Sequence, residues 1–445
     1  MLIVWMATAL ANDPFEVEAS VHTLDNGLTV VLSEDHNTDN IALHIHYGVG
    51  ARDEHEGEYG CAHLFEHLMF EGSANVPTNA FDEWLTAAGG WNNAFTSEDE
   101  TAYHETFPSG ALDLALMLES DRMGFLEAGL DLENLQNQQK VVLQERAEGY
   151  AEPRGRNWDA IALIGWPEGH PYQHSVIGTI EDIEGFDLQR VIDFWKRSYR
   201  PRNAVLSLVG NFDTEAALER VEYWFSDVPD AGPAAERAEA VEIGTEVHGD
   251  YYITDRVEDR SLYRIWPAVP MGHADEPALD ILSNVLSGGR GTRMDDALQF
   301  KKSIASGFGV FQSNSEIGGH FIMVAIADDL PLSKLDAKID KELAKFAKKP
   351  PTEAELKRAR KSVRAGMLNG LEGLEGRAEV LADCQRFKGD PNCSGADYAR
   401  YEAVTADDVM RVFNKYLVDE KRITLSVVPE GDDGMLEGSV EVEIK

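Results

Sequence analysis

The chain has 445 residues, 43% of them hydrophobic and 27% charged, a folded-globular profile too long for one ordinary core, so two domains are expected. Its 79 acidic against 40 basic residues leave a net charge of −39. That field repels nucleic acid and anionic membranes, excludes both as partners, and favours basic ligands. No apolar run reaches the roughly 20 residues of a bilayer span, so no integral membrane span is expected, and 3 cysteines are too few for a disulfide framework.

In chain order, "MLIVWMATALAND" is apolar through Ala11, and Ala9-Leu10-Ala11 has the small-residue pattern of a signal-peptidase site. Residues 1–17 are therefore read as an N-terminal segment of a periplasmic or secreted protein. A cytoplasmic location is the alternative, because no Lys or Arg precedes the apolar run. The turn "LDNG" leads into a strand, "LTVVLSE", and "NIALHIHYGVGA" follows as a second strand. His44 and His46 share one face of it and are read as ordinary sheet residues. From Gly60 the period turns helical, with Ala62, Phe65, Leu68 and Met69 apolar. "VPTNAFDEWLTAAGG" predicts another helix, capped by Thr78 and stopped by Gly89-Gly90. "WNNAFTSEDETAYHETF" predicts a hairpin with strands near Trp91 to Thr96 and Thr101 to Phe107. Ser109 is expected to cap a helix to about Phe125, and a further helix runs from about Leu132 to Glu148. His170 and His174 are interrupted by Pro171 and read as structural.

Around residue 230, "PDAGPAAERAEAVEIGTE" reads as a linker. Beyond it, "PPTEAELKRARKSVRAGML" opens a long helix in which Thr352 and Glu355 form a capping box. Cys384 and Cys393 flank the turn "CQRFKGDPNC" and can pair in an oxidising compartment. The expected fold class is α+β: two related domains, 18–229 and 249–445, joined by a linker at 230–248. Each is expected to be a mostly antiparallel sheet with helices packed on one face.

The chemistry concentrates in "GCAHLFEHLMFEGS", residues 60 to 73. On a helix His63 and His67 lie one above the other and present two imidazoles to one point, the geometry of two ligands of a tetrahedral Zn2+. Glu66 is on the same side, where it can take a proton from water. A catalytic zinc needs a third protein ligand, and the helix from Leu132 supplies Glu133, Glu145 and Glu148 as candidates. Spacing alone does not choose among them, nor does it separate a metal site from a helix that carries two histidines.

H-x-x-E-H is the inverted zinc pattern of the inverzincins. "GCAHLFEHLMFEGS" resembles the zinc helix of the family of pitrilysin, insulin-degrading enzyme and mitochondrial processing peptidase. "TLDNGLTVVLSED", "GGWNNAFTSEDETAY", "VVLQE", "GHPYQHSVIGTIEDI" and "FWKRSYRPRNAVLSLVGNFD" resemble further segments of that family in the same order, over about residues 20 to 215. The resemblance implies a zinc metalloendopeptidase in which His63, His67 and Glu145 hold Zn2+ and Glu66 is the general base. It also implies that Asn93 and Ala94 lie on an edge strand to which a peptide substrate adds in extended form.

Two departures stand out. Gln138 occupies the position of a supporting glutamate, seven residues before Glu145. "LSGGRGTRMDDALQFKKSIASGFG" resembles the segment that carries a substrate-gripping Arg and Tyr in active single-chain relatives, but here those positions are Gln299 and Ser306. This implies the zinc-holding subunit of a heterodimer whose homologous partner carries the Arg/Tyr pair, or else a homodimer. A non-catalytic structural homologue and a processing peptidase for basic presequences are the alternatives.

Overall fold

A computed structural model describes residues 14–230, 232, 237–239, 247–301, 303–418 and 421–444. The signal-type tripeptide and most of the expected linker lie outside the described residues. Among these residues, two six-stranded sheets organise the fold. The first holds β1 (Ser20–Thr23), β2 (Thr29–Glu34), β3 (Asn40–Tyr47), β4 (Trp91–Thr96), β5 (Thr101–Pro108) and β6 (Ala204–Gly210), in the order β1-β2-β6-β3-β5-β4. The second holds β7 (Gly249–Asp255), β8 (Ser261–Pro267), β9 (Ala305–Ser315), β10 (Gly318–Ala327), β11 (Ile423–Pro429) and β12 (Val440–Glu441), in the order β12-β7-β11-β8-β10-β9. The expected α+β class with two related, mostly antiparallel sheets is what the structure shows. Each sheet is mixed, because β2 pairs with β6, and β7 with both β11 and β12, in parallel.

The central strands are buried on both faces, which is why they read as nearly continuous apolar runs rather than clean alternations. On one face of the first sheet, Val30, Leu32, Ile41, Leu43, Ile45, Leu206 and Leu208 form the main core with the helices of the first half. On the other, Val31, Ala42, Val205 and Val209 pack on Ala378, Leu381 and Ala382 of the helix Leu374–Lys388. That helix comes from the second half of the chain. In return, α5 (Asn157–Gly165) of the first half places Ala160 and Ile161 against Ile253, Ile265, Leu425 and Val427 of the second sheet. Helices on one face of each sheet were expected. Both faces are covered, because each half lends one helix to the other.

Local chemistry explains two shifted helix starts. α2 (Ala80–Ala87) begins after Asn79, in a left-handed conformation with φ 64°, and not after Thr78. The Thr78 hydroxyl instead accepts from Asn134 Nδ2 at 3.4 Å. Ser109 opens a short 3-10 turn, Ser109–Ala111, ahead of α3 (Leu112–Phe125), rather than capping that helix itself. The Thr352–Glu355 capping box forms as expected, and Cys384 and Cys393 are joined in a disulfide.

Candidate metal centre

The centre is built on α1 (Cys61–Leu68) and α4 (Leu132–Ala151), which pack against each other. α1 starts at Gly60, whose φ of 95° favours glycine and whose added Cβ would meet Ile177 O at 2.7 Å. No side chain caps α1 from that position. The buried Glu54 carboxylate does so from six residues upstream, accepting from Gly60 N at 2.9 Å and Ala62 N at 2.7 Å. Leu64, Phe65 and Leu68 point into the core, so His63, Glu66 and His67 face outward. In α4, Asp131 caps the N-terminus through Asn134 N at 2.8 Å. Leu135, Gln139, Val142 and Arg146 are its buried stripe, and Glu145 projects from beside that stripe towards α1.

The Glu145 carboxylate lies 3.7 Å from His63 Nε2 and 3.4 Å from His67 Nε2, through the same oxygen. Ligand atoms of these three residues all fall within 4.8 Å of one another. Burial holds His63 down to about 4, so its imidazole is neutral at neutral pH. The hydrogen bond from His67 holds the Glu145 carboxyl below its usual range, so it is ionised. Neutral imidazole and carboxylate are the protonation states that bind metal, and two nitrogens with one oxygen is a zinc-peptidase donor set with a position left open. Of the three acidic candidates only Glu145 is grouped with both imidazoles among the described residues, and Glu148 instead accepts from Gln144 Nε2 at 2.7 Å.

Glu66 is half-buried beside His67, and burial pushes its carboxyl up. Thr96 Oγ1 donates to Glu66 Oε2 at 2.7 Å and opposes that rise. Glu66 and His67 open onto a cavity of about 360 Å³ that Glu71, Asn93, Ala94 and Gln138 also line. Asn93 and Ala94 sit on β4, which pairs with β5 on one side and forms the edge of the sheet. Gln138 donates from Nε2 to Glu71, so a carboxylate still stands beside the amide. Gln299 and Ser306 are absent from this cavity lining, and Gln299 Nε2 donates to Ser306 O at 2.9 Å. His170 stacks on Trp166 at 4.3 Å and His174 on Tyr59 at 4.2 Å, which suits their structural reading.

Sequence reasoning passed over Glu54, Thr96 and Glu71. Glu71 lies within the quoted motif, and its signal was the missing charge at Gln138. Glu54 and Thr96 reach the helix through loop and hairpin geometry, which no periodicity reports.

An α+β chain of two interlocked sheets, with a His–His–Glu cluster beside an open strand edge, has the build of a two-domain metallopeptidase. Comparison with known proteins agrees. Residues 29–176 match the model "Insulinase (Peptidase family M16)", and residues 185–363 match "Peptidase M16 inactive domain". The zinc protease PqqE of Helicobacter pylori is 30% identical over 419 residues, 92% of each chain. A probable mitochondrial-processing peptidase β subunit of Arabidopsis thaliana is 23% identical, over 92% of this chain and 78% of the relative. The crystal structure of a protease from Helicobacter pylori superposes with a TM-score of 0.85 at 26% identity, over 93% of this chain and 100% of the other. The chain belongs to peptidase family M16.

Proposed function

We propose that the chain is a zinc-dependent endopeptidase that hydrolyses peptides held in extended conformation, and that it serves as the zinc-holding subunit of a heterodimer. The observation that carries the reading is the convergence of His63, His67 and Glu145 next to Glu66, at a cavity bordered by a free strand edge. His63, His67 and Glu145 would hold the metal, which supplies Lewis acidity to water and to the scissile carbonyl. A substrate strand adds to β4 through backbone hydrogen bonds at Asn93 and Ala94, which tolerates varied sequences. Glu66, aimed by Thr96, takes a proton from the attacking water and delivers it to the leaving amine. Glu66→Gln is expected to retain zinc and to lose roughly 100- to 10,000-fold in kcat. Full activity in that variant would remove Glu66 as the base.

Two features support the heterodimer. Gln299 and Ser306 bond to each other and carry neither the charge nor the phenol that would hold a substrate carbonyl. The relative from Arabidopsis thaliana is itself named as a subunit. The purified chain alone should cleave a quenched fluorescent peptide far more slowly than it does with a homologue carrying Arg and Tyr at those two positions. Equal rates with and without the homologue would refute the division of labour. The Cys384–Cys393 disulfide supports a periplasmic or secreted location.

A further inference from the structure

On the face of the first sheet opposite α1, β3 carries two more histidines. His44 is 2% exposed and His46 fully buried. They follow Ala42 on the side that receives the helix Leu374–Lys388. Asp383 of that helix meets them: its Oδ1 is 2.9 Å from His46 Nδ1. One ligand atom each from His44, His46 and Asp383 lies within 4.8 Å of the other two.

Three observations set this group apart from ordinary sheet packing. His46 Nε2 lies 2.7 Å from Glu100. Glu100 thus stands at the far nitrogen of His46, the side from which carboxylates commonly orient metal-binding imidazoles, while Nδ1 faces Asp383. His44 Nε2 is buried and has no hydrogen-bond partner among the described residues, an uncompensated cost in a sheet core. The group is also rich in negative charge: Glu100, Glu379 and Asp383 crowd it. Glu100 and Asp383 flank the His46 ring from either nitrogen, at 2.7 and 2.9 Å. A divalent cation would add positive charge where these carboxylates gather. Asp383 is 38% exposed at the side chain, which leaves an entry path.

We propose that His44, His46 and Asp383 form a second, structural site for a zinc-class divalent cation, separate from the α1 centre. The ion would bind the sheet of one half to the helix lent by the other, with Glu100 orienting His46. Two imidazoles and a carboxylate suit Zn2+ and its transition-metal neighbours rather than Mg2+ or Ca2+.

The test is metal stoichiometry on the full chain, stripped with chelator and titrated with Zn2+ alone. The native chain should bind two equivalents. The double variant His63→Gln/His67→Gln, which silences the α1 centre, should keep one. In that background His44→Gln or Asp383→Asn should abolish the remaining equivalent, and Zn2+ at 100-fold above its Kd should raise Tm by roughly 3–5 °C only while those residues are intact. One equivalent in the native chain and none in the double variant would overturn the proposal and leave the α1 centre standing. So would a residual ion that persists in both His44→Gln and Asp383→Asn. Co2+ in place of Zn2+ in the double variant should give visible absorption bands that disappear with His44→Gln. Proteolytic activity enters none of these readings, so they stand apart from the proposed peptidase function.

Discussion

At the scale of single residues, the position of the proposed metal ligands His63 and His67 depends on a residue outside that set. Glu54 holds two N–H groups at the start of α1, where the left-handed Gly60 leaves the helix without a cap of its own. Glu54→Ala leaves both donors buried and unpaired. The expected cost is roughly 1–3 kcal/mol of stability. Zinc affinity should weaken about 10-fold as α1 loosens, as for other groups that orient ligands from behind. Chemical denaturation and competition with a zinc chelator would measure the two effects. Unchanged zinc affinity would show that packing of Leu64, Phe65 and Leu68 positions α1 unaided. His63, Glu66 and His67 were legible in the sequence because helical spacing alone brings them together. Spacing left Glu145 as one of three candidates, the family resemblance singled it out, and the register of α4 against α1 places its oxygen near both rings.

At the scale of elements, the helix Glu353–Gly370 shows how a local signal becomes a tertiary joint. Thr352 Oγ1 accepts from Glu355 N at 3.3 Å, and Glu355 Oε2 accepts from Thr352 N at 2.8 Å. The same carboxylate takes two bonds from Arg293, at 2.7 and 2.8 Å. Arg293 is the largest reason that Glu355 is held down to about 2. Thr352→Ala should cost about 1 kcal/mol, as for other N-caps. For Glu355 the folded pKa lies below the ordinary 4.5. Its contribution is therefore fully present above about pH 4.5 and is lost as pH falls towards 2. With allowance for solvent screening it amounts to about 1–2 kcal/mol. The stability gap between the native chain and Glu355→Gln, followed by urea unfolding across that range, should close on acidification. A gap that stays constant with pH would assign the effect to packing. The capping box was readable from sequence because it spans one helical turn. Arg293, 62 positions away, was not.

At the scale of the whole molecule, the two halves are interlocked. A chain ended near residue 229 would lose the helix Leu374–Lys388 and expose Val31, Val205 and Val209, each worth roughly 1.5–3 kcal/mol when buried. Such a fragment should bind a hydrophobic dye and unfold without cooperativity. Adding the complementary fragment from residue 249 should restore a cooperative transition and zinc binding at α1. A fragment that folds cooperatively by itself would show that the lent helix is dispensable. The turn at Glu316 and Ile317 adds a polar joint to the same interface: Glu316 N donates to Asp99 at 2.6 Å, and Glu316 also receives Arg52 at 2.9 Å.

The sequence by itself determined the α+β class, the family, the zinc-type motif and the capping box, because each of these is written in short-range spacing or in segments that follow one another in order. Only the tertiary structure decided that Glu54 caps α1 and that Asp383 joins His44 and His46, whereas Glu145, named through the family resemblance, is where the register of α4 against α1 places it. The physical reason is reach. A helix or strand repeats within a few residues, whereas a carboxylate 337 positions from His46 becomes its neighbour only when one half of the chain lays its helix across the other half's sheet.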